Sequence, residues 1–120
     1  MNYRTRKLIK PGDLNPRGTL FGGQVLKWID EEAAIFAICQ LGSSNIVTKV
    51  MSEINFVKTA KNGDIIEFGM ELVKFGTTSV TIACDVRNKN TKESIVKIDS
   101  IIFVLLDENG KPTPHGKTNR

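Results

Sequence analysis

The chain has 120 residues, 40% hydrophobic and 25% charged, the ordinary make-up of a single soluble globular domain. It holds no apolar run of about 18 residues, so no membrane insertion is expected. The net charge of +4 suits solubility or the capture of a small phosphorylated ligand; one Trp, one Tyr and no helix-turn-helix or zinc spacing argue against nucleic acid.

The start, Met1-Asn2-Tyr3-Arg4-Thr5-Arg6-Lys7, is basic, but no apolar segment with a small-residue cleavage site follows it. It does not read as a signal peptide, and a cytoplasmic location is expected. Residues 3–9 read as a first strand, closed by the turn-prone Lys10-Pro11-Gly12-Asp13. A loop rich in Gly, Pro and Asn leads on to Gly22.

Residues 23–40 are good helix formers, with Leu41-Gly42 as the stop, and span about 27–30 Å. On a helical wheel the apolar residues leave only a narrow polar strip around Gln24, Lys27 and Glu31. A helix this apolar is expected to be enclosed by protein.

Everything after Gly42 reads as strand. Residues 46–59 alternate, with Val50, Ser52, Ile54 and Phe56 on one face and Lys49, Met51, Glu53 and Asn55 on the other. Asn62-Gly63-Asp64 signals a turn, then strands are expected over 65–75 and 77–87 with Gly76 as the break. Residues 88–93 form a polar hairpin loop and 94–106 the last strand. The fold domain is set at 1–112, with 113–120 as a flexible tail. Cys39 and Cys84 fall in helix and strand without metal-like spacing; they are expected as buried, reduced thiols, and no metal site is expected.

The order is therefore α+β: one strand, a long central helix, then four long antiparallel strands. A curved sheet of about five strands must wrap the helix. The helix face left over needs a partner, and a second copy of the chain is the economical one.

Chemistry concentrates in Asn15-Pro16-Arg17-Gly18-Thr19-Leu20-Phe21-Gly22-Gly23, which runs into the helix that carries Asp30. This loop, Trp28-Ile29-Asp30-Glu31, Ile54-Asn55-Phe56, Asn62-Gly63-Asp64 and Gly76-Thr77-Thr78-Ser79 follow one another in an order that resembles the hot-dog-fold acyl-CoA thioesterases. The likeness covers about residues 5 to 112. It implies the hot-dog fold and hydrolysis of acyl-CoA to a free acid and coenzyme A, with coenzyme A as part of the substrate and no further cofactor. By the same resemblance Asp30 drives hydrolysis, and the backbone amides of Gly22 and Gly23 bind the thioester carbonyl. Asn15 or Thr19 contributes to the site, and Thr77, Thr78 and Ser79 contact coenzyme A. Thr19 stands where relatives often have Asn or Asp, and Phe21 where some have His. Relatives often assemble as trimers of dimers.

Helix geometry bears on the same residues. Gly22 and Asp30 are about 12 Å apart along the axis, so one helix cannot present both to one carbonyl. Two antiparallel helices across a two-fold axis can, which makes a homodimer obligatory. Helix-start amides then stabilise the oxyanion, and Asp30 either activates water or attacks directly. The wheel alone does not choose between Asp30, which falls between Ala37 and Leu41, and Glu32, between Trp28 and Val25; the resemblance favours Asp30. Two other functions compete. A dehydratase would need a catalytic His, and the lone His115 lies in the tail. A non-catalytic acyl-CoA binder on the same fold would be expected to lack the helix carboxylate.

Overall fold

The computed structural model describes residues 1–119. Of the tail set at 113–120, Arg120 lies outside the described residues. Six strands occur among these residues: β1 (Asn2–Leu8), β2 (Ile46–Met51), β3 (Ile54–Phe56), β4 (Ile65–Phe75), β5 (Ser79–Asn88) and β6 (Ser94–Leu105). They form one antiparallel sheet in the order β1-β4-β5-β6-β2, with β3 also on β6. The long helix α1 (Gly22–Leu41) lies on one face.

α1 begins one residue earlier and ends one later than its sequence pattern suggests. It stops at Gly42, whose φ of 72° breaks the helical path while its N–H still bonds Ile38 O at 2.8 Å. Val25, Trp28, Ile29, Ala33, Ala37 and Leu41 are its buried residues, recurring at helical spacing along one stripe. They join Phe68, Val80, Ile82, Ile98, Ile101 and Phe103 from the sheet in one core. Trp28 meets Phe68 edge to face, with ring centroids 6.4 Å apart. Each such side chain contributes about 1.5–3 kcal/mol by leaving water. The sheet does not enclose the helix as the wheel suggested, however. Ile35 remains 54% exposed, and Leu26, Ala34 and Phe36 are only partly covered.

The stretch 46–59, expected as one strand, divides at Ser52-Glu53 into β2 and β3, and pairing ends at Phe56. The cause is a competing hydrogen bond. Ser52 N–H still donates to Ser100 O at 2.8 Å, but Ser100 N–H turns to the Ser52 hydroxyl at 3.0 Å instead of the backbone carbonyl. Here β6 also carries one residue more than β5, because Ile82 pairs with Ile101 while Cys84 pairs with Ile98. The bulge resets the alternation, so Ile98 and Ile101, three residues apart, are both buried. Met51 and Ile54, opposite them on the outer strand, both pack on the core. The strict alternation read from the sequence put these two on opposite faces, and the bulge corrects it. Bulges of this kind bend a sheet, here around α1.

On the face of the sheet away from α1, Glu67 is 2% exposed and accepts from Arg87 Nε at 2.8 Å, Arg6 Nε at 3.1 Å and Lys92 Nζ at 3.4 Å. Burial pushes this carboxyl up, and the three cations outweigh it and hold it below the usual range. Asp85 beside it accepts from Tyr3 Oη at 2.6 Å and Ser94 Oγ at 2.7 Å. The Arg87 guanidinium lies 3.5 Å from the Tyr3 ring centre.

Candidate active site

The loop before α1 is held by two short polar side chains. Asp13 is buried and accepts from Lys10 N at 3.0 Å and from Gln24 Nε2, in the first turn of α1, at 2.9 Å. The Lys10 amide is the main reason its carboxyl titrates below the ordinary range. Asp13 O also receives Phe21 N–H at 2.9 Å, and Leu20 N–H donates to Ala60 O at 2.8 Å. The helix start is thereby tied to the loop on one side and to the β3–β4 connection on the other.

Asn15 and Thr19 meet within this loop. Asn15 Oδ1 accepts from Arg17 N at 2.9 Å and Thr19 N at 3.2 Å, and Asn15 Nδ2 donates to Thr19 Oγ1 at 3.0 Å. Gly18 closes the turn at φ 81°, a conformation that a side chain would strain.

Gly22 and Gly23 are the first two residues of α1. The residue before them, Phe21, offers no side-chain cap, and its carbonyl accepts from Gln24 N and Val25 N instead. The first amides of a helix have no partner within it, and no acidic residue sits in this first turn to offset the positive end. Gly22 lies against the Phe56 ring and Gly23 is exposed. A cavity of about 160 Å³ opens beside them, lined by Leu20, Val25, Phe56 and Ala60 among others.

Asp30 and Glu32, indistinguishable on the wheel, point to different strands. Asp30 Oδ1 accepts from Thr48 Oγ1 on β2 at 2.9 Å. Glu32 Oε2 accepts from Thr5 Oγ1 on β1 at 2.8 Å, in a groove of about 530 Å³ on the far side of α1. Nothing in the sequence marks Thr48 as a partner of Asp30, because an exposed Thr in a β-rich stretch carries no signal of its own. In the sequence Asp13 is only part of a turn.

Thr77, Thr78 and Ser79 lie at the turn from β4 to β5, where Gly76 N–H bonds Ser79 O at 2.8 Å. The turn delays β5 to Ser79, two residues after its expected start; a Cβ on Gly76 would run into Ser79 Oγ. Thr48, Phe103 and Val80 share one level across β2, β6 and β5, so Asp30 lies toward the end of the sheet where this turn sits. Phe56, beside Gly22, pairs with Val96, about 20 Å along β6 from Phe103. A single chain thus brings Asn15, Thr19, Gly22 and Gly23 together, and sets Asp30 and the 77–79 turn apart from them. Among the basic residues, Arg6, Arg87 and Lys92 bond Glu67, and Lys58 bonds Glu93.

A family profile described as the Thioesterase superfamily matches residues 17–95, well over half of the chain and including the loop from Arg17 on, the helix, Thr48 and the turn. The chain belongs to the thioesterase superfamily. Among the thioesterases similar to it, the acyl-CoA thioester hydrolase YciA of Salmonella typhimurium is 30% identical over 115 residues, which cover 91% of this chain and 86% of that protein. An acyl-CoA hydrolase from Staphylococcus aureus, solved with butyryl coenzyme A, coenzyme A and coenzyme A disulfide, is 31% identical with a TM-score of 0.83. The match covers 92% of this chain and 66% of that one. The hexameric thioesterase y2039 of Yersinia pestis is 27% identical with a TM-score of 0.85, over 94% of this chain and 93% of its own. Hot-dog-fold thioesterases are among the solved structures that match, and the single long helix on an antiparallel sheet is the fold they share with this chain. Among the described residues no helix is long and apolar enough to cross a membrane.

Proposed function

We propose that this thioesterase hydrolyses acyl-CoA, in sites that two antiparallel copies of α1 complete for each other. The observation that carries the reading is the helix itself. Its uncapped start presents two glycine amides, and Asp30, held by Thr48, lies two turns further on. The thioester carbonyl oxygen sits on the amides of Gly22 and Gly23 of one chain, where the positive helix end favours negative charge. Asp30 of the other chain takes a proton from the attacking water, or attacks the carbonyl carbon itself and is released by water. Either way the C–O bond forms, the C–S bond breaks, and coenzyme A leaves as a thiolate that is then protonated. A thiolate is stable enough to depart without a strong acid, so these groups suffice, with coenzyme A as part of the substrate.

Asn15 and Thr19 shape the loop that fixes the amides, and Thr77, Thr78 and Ser79 touch coenzyme A. The exposed Ile35, Phe21 and Phe56 belong to surfaces that the homodimer and a further assembly cover. The hexameric state of the Yersinia relative supports such an assembly. The Staphylococcus hydrolase has been solved with an Asn, an Asp or a Thr replaced by Ala, the Asn and Asp at the same separation as Asn15 and Asp30. Cys84 is buried as expected and Cys39 is exposed on α1, against expectation; two unpaired thiols fit a cytoplasmic setting.

Thiol release from acyl-CoAs running from acetyl to palmitoyl tests the reading, with Asp30→Asn and Glu32→Gln beside the parent. Turnover on part of the series, abolished by Asp30→Asn and retained by Glu32→Gln, is expected. No turnover at any chain length would sink it, and loss confined to Glu32→Gln would move the catalytic carboxylate to the β1 side of the helix.

A further inference from the structure

After β6 the chain reverses through Asp107, whose carboxylate accepts from Asn109 N at 2.8 Å and Lys111 N at 2.9 Å. It then runs back along the end of the sheet, with Thr113 N–H on Leu105 O at 2.9 Å. From there it crosses the turn at 76–79. His115 N–H donates to Thr77 O at 3.2 Å, and the His115 ring lies 5.3 Å from that of Phe75. Lys117 N–H donates to Nδ1 of the same ring at 3.0 Å. Nδ1 is therefore the acceptor, and Nε2 carries the proton that goes to Ser79 O at 2.9 Å. On the β4 side the Asn119 side chain pairs with the backbone of Phe75 in both directions, donating to its O at 2.9 Å and accepting from its N at 2.6 Å.

These bonds sort the turn's polar groups in one sense. The carbonyls of Phe75, Thr77 and Ser79 are taken by the terminal segment and that of Thr78 by Leu105 N–H. Among the described residues, no hydrogen bond uses the hydroxyls of Thr77, Thr78 and Ser79. With these four carbonyls occupied, the turn keeps three hydroxyls free to donate, which suits a ligand rich in carbonyl and phosphate oxygens.

We infer that residues 113–119 are a strap that holds the 76–79 turn in its substrate-binding form, with His115 and Asn119 as positioning residues at its two fastening points. This rests on the reading that Thr77, Thr78 and Ser79 touch coenzyme A. Neither His115 nor Asn119 touches the reacting atoms, so the strap acts on substrate binding and not on the chemical step.

The test uses the full chain carrying His115→Ala, Asn119→Ala, both together, His115→Gln, or Thr77→Ala with Thr78→Ala. Butyryl-CoA is the substrate, and amide hydrogen exchange is followed over residues 75–79. Losing one ordinary hydrogen bond corresponds to about a fivefold effect on binding. KM is expected to rise about fivefold in His115→Ala, more in Asn119→Ala, which loses two bonds to Phe75, and further in the double, at unchanged kcat. Exchange at Gly76 should quicken, and His115→Gln, which keeps a donor for Ser79 O, should restore most of the loss. A purely structural contact would lower the melting temperature and leave KM where it was. Parental KM in the double variant, with a raised KM in the Thr77/Thr78 variant, overturns the strap alone. Parental KM in both overturns the role given to the turn, and the strap with it.

Discussion

Dividing each site between two chains predicts that two inactive variants restore each other. Asp30→Asn removes the carboxylate, a loss of about 10²–10⁴ in kcat for a general base. Gly22→Pro removes one amide from the oxyanion site at little cost to the fold. Proline is favoured at the first helical position, and Phe21 before it already has the extended φ −68° and ψ 127° that proline requires. A Cβ on Gly22 would meet the Phe56 ring at 3.5 Å, an ordinary contact. Loss of one such donor costs about 10²–10³ in kcat. Gly23→Pro would probe the second amide at a greater cost to the fold, since a Cβ there would lie 2.9 Å from the Phe21 ring and the helical conformation of Gly22 before it is disfavoured ahead of proline. In a hybrid dimer one site carries both defects and the other carries neither. Equal co-expression with random pairing makes about half the dimers hybrid and restores about one-quarter of parental turnover. The assay is thiol release from butyryl-CoA by the mixed preparation against each variant alone. A mixture no more active than the mean of its two parents would refute the division, and full activity in Gly22→Pro would refute the part given to that amide in the oxyanion site.

Thr48→Val keeps the β-branched shape and removes the bond to Asp30 Oδ1; hydrogen bonds to charged groups are worth about 1.5–3 kcal/mol, so kcat should fall about tenfold or more with the melting temperature unchanged. Glu67→Gln leaves Arg6, Arg87 and Lys92 around a neutral amide and should cost about 2–4 kcal/mol in urea unfolding at pH 7. The carboxyls of Glu67 and Asp13 titrate below the ordinary range in the folded chain, so their stabilisation is complete above the unfolded carboxylate value of about 4. It is lost as pH falls through the lower folded values; the urea midpoint should hold down to about pH 5 and drop below pH 4, less steeply in Glu67→Gln. Burial pushes the Cys84 thiol up to about 12, so at pH 8 it should resist a thiol reagent until the protein unfolds, and prompt labelling of Cys84 in the native protein would contradict its place in the core.

The sequence displayed those parts of the fold that local patterning controls. The helix, the two glycines at its start and the strand over residues 65–75 all follow from periodicity and turn chemistry, and their ends agree to within a residue. What did not show was anything set by a partner distant in the chain. The break at Ser52 depends on Ser100, 48 positions away, and nothing local tells this Ser from its neighbours. The link from Thr48 to Asp30, and that from Asp13 to Gln24, appear only once the elements are packed. Likewise, the separation of Asp30 from Glu32 needed the sheet. On the helix they are two residues apart, and β2 and β1 give them different surroundings.

The extra residue in β6 at Asp99-Ser100 has a consequence for how the chain tolerates change. On either side of it the strand counts inward-facing positions in a different phase, Val96 and Ile98 before it, Ile101 and Phe103 after. Removing one residue there would put the two halves back in step, with Val96, Ile98, Ile101 and Phe103 spaced by two as in a regular strand. The inward-facing set would survive, and the bend that the bulge gives the sheet would be lost. At this point the added residue serves curvature and not burial: a deletion would keep the core side chains facing inward and flatten the sheet that carries them.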